Sequence, residues 1–309
     1  MDWRLKGLVQ KALGVAPRGE QLHYWLQKKA GGLRGFEREC DIKVDDFGLM
    51  VGHLRSVGWE VAGARLLEIG SGWYPTFPVC LHLLGATRVE TFDLTRHMRP
   101  ELVAAMVERL RRHLATLAAL GQVALAEVER RHRVLAASIA DGATIEAASR
   151  GGIVYHAPAD AARTGLAPGA VDVVFSNSVL EHVPGPVIAA IFEEAHRVLS
   201  PRGVMFHSVN CGDHYAYVDR SIDQLHYLQY SEARWRFWNN AFLYQNRLRA
   251  EDFTRAARAA RFTIEVDTSR PHPDRLRQLD AITVDRHFAR YSRDQLAITS
   301  IDFVARPER

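Results

Sequence analysis

The stretch Arg65-Leu66-Leu67-Glu68-Ile69-Gly70-Ser71-Gly72-Trp73-Tyr74-Pro75 decides how the chain is read. A short apolar run meets two glycines, and Pro75 follows where a helix can begin. Proline suits the first helical turn, where its missing N–H costs nothing. The pattern predicts a strand, a tight turn and a helix N-terminus. Glycine there lets the backbone approach a ligand closely. A second apolar run, Arg88-Val89-Glu90-Thr91-Phe92, ends on Asp93. That interval, about 20 residues, is the one at which a nucleotide-binding fold sets a carboxylate on a ribose.

The bulk properties bound the rest. The chain has 309 residues, 47% hydrophobic and 25% charged. That is a globular composition with material for one sizeable core and additions. No apolar run approaches the roughly 18–20 residues of a membrane span, and no secretory signal is visible. Cys40, Cys80 and Cys211 are far apart and odd in number, so a reducing, cytoplasmic setting is expected and no disulfide framework. Their spacing matches no zinc site, and no metal ligand is assigned. The net charge is +4, and all five lysines lie in the first 43 residues. Later basic residues are arginines interleaved with acids, which fits a GC-rich genome better than a nucleic-acid surface.

Residues 1–60 read as helical. Leu5, Leu8, Val9, Ala12 and Leu13 share one helical face, expected to pack on the domain, with a membrane or partner helix as the alternative. Further helices are expected around Leu22–Leu26 and through Phe47, Leu49, Met50 and Leu54. Strands are expected at 65–69, 88–93, 152–156, 171–175, 204–209, 262–266 and 298–305. Helices are expected at 78–84, 187–199 and 252–260, with a turn at Ser200-Pro201-Arg202-Gly203. Alternation of strands and helices argues for a parallel α/β sheet. Residues 100–148 are too long for an ordinary crossover and read as a helical insertion after strand 2. In it Val103, Met106, Val107, Leu110, Leu114 and Leu117 form a stripe with Arg109, Arg111 and Arg112 facing away; a dimer interface or substrate cap is the sharper reading. Residues 210–250 are a polar, aromatic-rich insertion after strand 5.

Four motifs in this order resemble the class I S-adenosylmethionine-dependent methyltransferases, small-molecule branch. Leu67-Glu68-Ile69-Gly70-Ser71-Gly72 is similar to the family's glycine motif, and Asp93 to its ribose acid. Ala159-Asp160 is similar to the pair bordering the adenine. Val171-Asp172-Val173-Val174-Phe175-Ser176-Asn177-Ser178-Val179-Leu180-Glu181-His182-Val183 resembles its strand-4 motif. Leu199-Ser200-Pro201-Arg202-Gly203 resembles its turn before strand 5. Tyr74 stands at the family's third glycine. Pro75 stands where a dinucleotide motif needs glycine, which disfavours a nicotinamide oxidoreductase. The resemblance covers roughly 63–210 and implies a Rossmann-like, mostly parallel seven-stranded sheet with the last strand antiparallel. The methyltransferase domain then spans 61–309, preceded by the helical region 1–60.

The resemblance implies S-adenosyl-L-methionine as cofactor. Glu68, Gly70, Ser71, Gly72, Asp93, Leu94, Ala159, Asp160, Ser176 and Asn177 would hold it: Asp93 on the ribose hydroxyls, Glu68 near the methionine ammonium, Asp160 at the adenine, Ser176 and Asn177 beneath the methyl group. An oxygen nucleophile needs a base, and histidine is the commonest near neutral pH. His214 or His207, with Asp213 as orienting acid, are the candidates, and His182 is a further one at the acceptor pocket. A divalent metal in the 207–214 run is an alternative to the base, and a structural polar cluster is another. The aromatics of 215–247, interleaved with amides and charges, suit a sugar, or else form their own small core. The 228–231 and 244–249 runs resemble bacterial polysaccharide and secondary-metabolite methyltransferases. O-methylation of a polar small molecule is therefore expected. Transfer to nitrogen or a carboxylate, a nucleic-acid substrate and a non-catalytic binding module are the alternatives. Homo-oligomerisation is left open.

Overall fold

The computed structural model describes residues 2–15, 35–240 and 242–308. The helix expected around Leu22–Leu26 lies outside them.

Seven strands form one sheet: β1 (Arg65–Ile69), β2 (Arg88–Phe92), β3 (Ile153–His156), β4 (Val171–Asn177), β5 (Leu199–Asn210), β6 (Phe262–Asp267) and β7 (Ser300–Pro307). Their order is β3-β2-β1-β4-β5-β7-β6. β7 is antiparallel to both neighbours, between β5 and β6. The chain reverses direction in space at β1, where the order turns from descending to ascending. Open α/β sheets bind ligands beyond the strand carboxyl ends at such a reversal.

The strands are apolar because both faces are covered. Side chains alternate between faces. Leu66, Val173, Phe175 and Phe206 enter one core, while Leu67, Val174 and Met205 enter the other. The first core takes α2 (Phe36–Ser56) and α3 (Thr76–Leu83), and the insertion helices α4 (Pro100–Leu110), α5 (Leu114–Gly121), α6 (Leu125–Ala140) and α7 (Ile145–Ala148). The insertion stripe is thus buried core. Its arginines do not all face solvent: Arg109 pairs with Asp41 at 2.6 Å and Glu37 at 2.9 Å, tying α4 to α2. The second core takes α8 (Gly185–Val198) and, later in the chain, the helix Ala250–Ala259.

Residues 199–203 are a looped-out part of β5, not a separate turn ahead of it. Leu199 pairs with Val171, and pairing resumes with Val204 on Val173. The aromatic insertion forms a third core. Trp3, Tyr215, Tyr227, Trp235 and Phe288 are buried together with Leu225, Leu228 and Leu296. Helix α1 (Trp3–Val15) joins it through Trp3, whose amide donates to Asp219 at 3.0 Å. The expected packing face of α1 is corrected: Trp3 and Leu13 are buried, while Leu5, Leu8 and Val9 are exposed.

Candidate active site

Four parallel strands bring their carboxyl ends to one edge. There the chain emerges as Gly70–Gly72, Asp93, Ser178–His182 and Cys211–His214. The glycine turn is pinned by the Gly70 amide donating to the Phe92 carbonyl at 2.8 Å. Gly70 has φ +77°, and a Cβ on it would lie 2.8 Å from Cγ2 of Val179. Gly72, at φ +65°, would meet nothing within 4 Å, so its backbone lies open.

Asp93 is buried behind this turn. It accepts the Gly72 amide at 3.2 Å and a side-chain hydrogen bond from Tyr155. Among the described residues no salt bridge reaches it. Burial, then the nearby Glu68 charge, pushes its carboxyl up to about 7. A buried acid with spare acceptor capacity beside an open glycine backbone fits a vicinal diol. Leu94, next in the chain, is 73% exposed, an apolar surface beside it. The Ala159 amide donates to the Asp93 carbonyl at 2.8 Å, bringing the β3 loop to the same corner. These features fit S-adenosylmethionine: Gly72, Asp93, Leu94 and Ala159 would hold its nucleoside end.

Other expected cofactor residues are engaged elsewhere. Glu68 is buried and accepts from Thr91 at 2.7 Å and from Ser71, so it and Ser71 lock the turn internally. Burial raises its carboxyl to about 7. Asp160 is exposed and its carboxylate accepts the Ala162 amide at 2.9 Å, a loop cap. Ser176 is fully buried, its hydroxyl 2.7 Å from Nδ1 of His207. Asn177 does reach the edge, where its side-chain oxygen accepts from Lys43 of α2. Lys43 escaped the sequence reading; its charge also acts on Glu68 and Glu181.

On the acceptor side the expected residues divide. His207 is 0% exposed and packed between Phe192 and Phe303, ring centroids at 5.2 and 5.3 Å. It is a core histidine with no path to an acceptor. Asp213 is also corrected. It does not orient His214: its carboxylate accepts the Tyr215 amide at 2.8 Å and bonds His226 at 2.9 Å. His214 and His182 do meet, with ring centroids 4.9 Å apart. Glu181 joins them, unforeseen by sequence, as nothing there links the 180–182 turn to the 211–214 loop.

The segment 244–246 straps these loops together. His182 Nδ1 lies 2.6 Å from the Tyr244 carbonyl. Gln245 accepts the His214 amide at 3.3 Å, and the Asn246 side chain donates to the Leu180 and Val183 carbonyls at 2.7 and 2.8 Å. Burial pushes the Glu181 carboxyl up to about 8. Burial, then the charges of His182 and Lys6, holds His214 down at about 3. The aromatics of 215–247 mostly fill the third core; Tyr217 and Phe237 stay exposed.

A family model described as a methyltransferase domain matches residues 115–207, under a third of the chain. The match runs from the helical insertion through most of β5 and leaves out the glycine turn, which the sheet places independently. Domain match, sheet order and glycine–acid corner support a class I S-adenosylmethionine-dependent methyltransferase, with S-adenosylmethionine as methyl donor. Solved structures similar to this chain include an S-adenosylmethionine-dependent methyltransferase from Mesorhizobium loti. It has 17% identity and TM-score 0.41, with 82% of this chain and 96% of that one covered. Geranyl diphosphate C-methyltransferase from Streptomyces coelicolor has 14% identity and TM-score 0.45, covering 84% and 77%. The [4+2]-cyclase SpnF has 13% identity and TM-score 0.45, covering 85% and 81%. No curated protein sequence matches significantly. Among the described residues, no helix is long and apolar enough to cross a membrane.

Proposed function

We propose that this methyltransferase acts on a hydroxyl of a polar small molecule, with a saccharide or glycosylated metabolite as the favoured acceptor. The observation that carries the reading is the cluster of Glu181, His182 and His214 at the edge that also holds the cofactor corner. Its ligand atoms lie within 4.8 Å of one another. The cluster offers carboxyl oxygen and imidazole nitrogen acceptors to a hydroxyl, which must donate its proton on binding and lose it as the C–O bond forms. The cofactor supplies an electrophilic methyl group. The protein's part is to hold the nucleophile in line with it, a source of much of the rate. His214, neutral at pH 7, meets the hydroxyl as an acceptor. Asp93 and Gly72 anchor the nucleoside end; Asn177, which accepts from Lys43, ends β4 at the same edge.

Three free, buried cysteines suit a reducing cytoplasm. The test is an acceptor screen with isotope-labelled cofactor, followed by His214→Ala on the best substrate. Label on a hydroxyl oxygen, with turnover cut at least ten-fold and cofactor affinity unchanged in the variant, is expected. Label on nitrogen or a carboxylate would sink the hydroxyl reading.

A further inference from the structure

The acceptor-side cluster has the donor set of a metal centre. Glu181 is 1% exposed, and its oxygens have no well-formed hydrogen bond, only the weak approach of the backbone amides of Glu181 and Asn210. Native proteins rarely leave a buried carboxyl in that state without an ion, ligand or water to meet it. Nε2 of His214 is likewise buried and unpartnered. His182 bonds the Tyr244 carbonyl through Nδ1. A carbonyl only accepts, so Nδ1 carries the proton and Nε2 presents its lone pair. Metal-binding imidazoles are commonly oriented in this way by a backbone carbonyl.

We propose that Glu181, His182 and His214 bind one divalent transition ion of the zinc type through two imidazole nitrogens and one carboxylate. Two imidazole donors argue for this class of ion. Lys43 acts on Glu181 and Lys6 on His214. An ion there is held by short bonds to nitrogen, not by surplus negative charge, which disfavours Mg²⁺ and Ca²⁺. Zinc bonds of about 2.1 Å set tetrahedral ligands about 3.4 Å apart. The observed 4.8 Å limit is closed by rotation of side chains that sit in short turns, not in strands. Three protein ligands leave a position open, as catalytic zinc sites do. The inference rests on the hydroxyl reading only in giving that position to an acceptor oxygen; the ion site itself stands apart from it.

The test titrates chelator-treated, full-length protein with Co²⁺ and then Zn²⁺, without cofactor or acceptor. One equivalent of Co²⁺ should bind, with the visible absorption of a four- or five-coordinate ion, and Zn²⁺ should displace it. Glu181→Gln, His182→Ala and His214→Ala should each weaken binding at least ten-fold, and His272→Ala, at an exposed histidine elsewhere, should not. No uptake by the wild-type protein, or equal uptake by the three variants, overturns the proposal. If a variant fails to fold, the wild-type melting temperature decides: Zn²⁺ should raise it, and no rise counts against the site. Methyl transfer by the same preparations separates the two readings. Hydroxyl methylation without ion uptake overturns the metal site alone; ion uptake with methylation of nitrogen overturns the hydroxyl reading alone.

Discussion

The Ser176 hydroxyl lies 2.7 Å from Nδ1 of His207, with both side chains fully buried between the sheet and α8. Nε2 of the same ring has no partner. Burial therefore holds His207 neutral, its pKa pushed down to about 3.

Acid sensitivity follows from that pair. The unfolded chain takes up a proton near the ordinary histidine value of about 6.5, and the folded chain resists until about 3. His207 thus contributes stability that is present above about 6.5 and lost as pH falls toward 3. His207→Leu should move the acid-unfolding midpoint to lower pH, read by circular dichroism. At pH 7 it should cost about 1 kcal/mol for the lost hydrogen bond. An unmoved midpoint would show that other groups govern acid unfolding.

Cofactor affinity should rise with pH through about 7. Asp93 is half protonated there in the free protein, and the ionised form accepts from two ribose hydroxyls more strongly. Calorimetry with the demethylated cofactor at pH 6 and pH 8 should show tighter binding at pH 8, with proton release near pH 6.5. Asp93→Ala should weaken binding on the order of 100-fold, since hydrogen bonds to a charged group contribute about 1.5–3 kcal/mol each. Unchanged affinity would remove Asp93 from the ribose site.

Gly70→Ala should be destabilising for two separable reasons. The φ of +77° strains any L side chain, and the new methyl would press on Val179. The first effect costs about 1 kcal/mol. Adding Val179→Ala should recover the steric part and leave the conformational part. Denaturant titration of both single variants and the double measures this coupling. Strict additivity would mean the two residues do not press on each other.

Asp213→Ala should act on stability rather than on the acceptor. The change strands the buried His226 and uncaps the Tyr215 amide. A loss of about 2–4 kcal/mol in urea unfolding is expected. Per folded molecule, cofactor affinity should match the parent chain. A selective loss of cofactor binding would tie Asp213 to the site directly.

Residues 65–93 and 171–177 show what local chemistry determines. Apolar runs of the right length, a glycine turn and an acid at the expected interval are written in neighbouring residues, so strand positions and the meeting of the glycine turn with Asp93 were legible. The structure kept some strand boundaries where expected, moved others by one or two residues and extended β4 to Asn177. The looped-out start of β5 was not legible, because bulging depends on how far Leu199 and Val204 must travel to pair with Val171 and Val173. Nor was the outward face of α1, since the third core offered Trp3 a better site than the domain offered Leu5 or Leu8.

Sequence patterning alone determined the alternating α/β class and the place of Asp93 at a strand end, because each is short-range; the methyl donor followed from the resemblance carried by the ordered motifs. Tertiary structure alone decided the acceptor side. His207, Asp213 and His214 are near neighbours in the chain, yet strand alternation sends His207 into the core, and a turn gives Asp213 to His226. His214 crosses to Glu181 and His182, which arrive from another strand. Which polar group is buried with which partner depends on packing across the sheet, and residue order does not encode it locally.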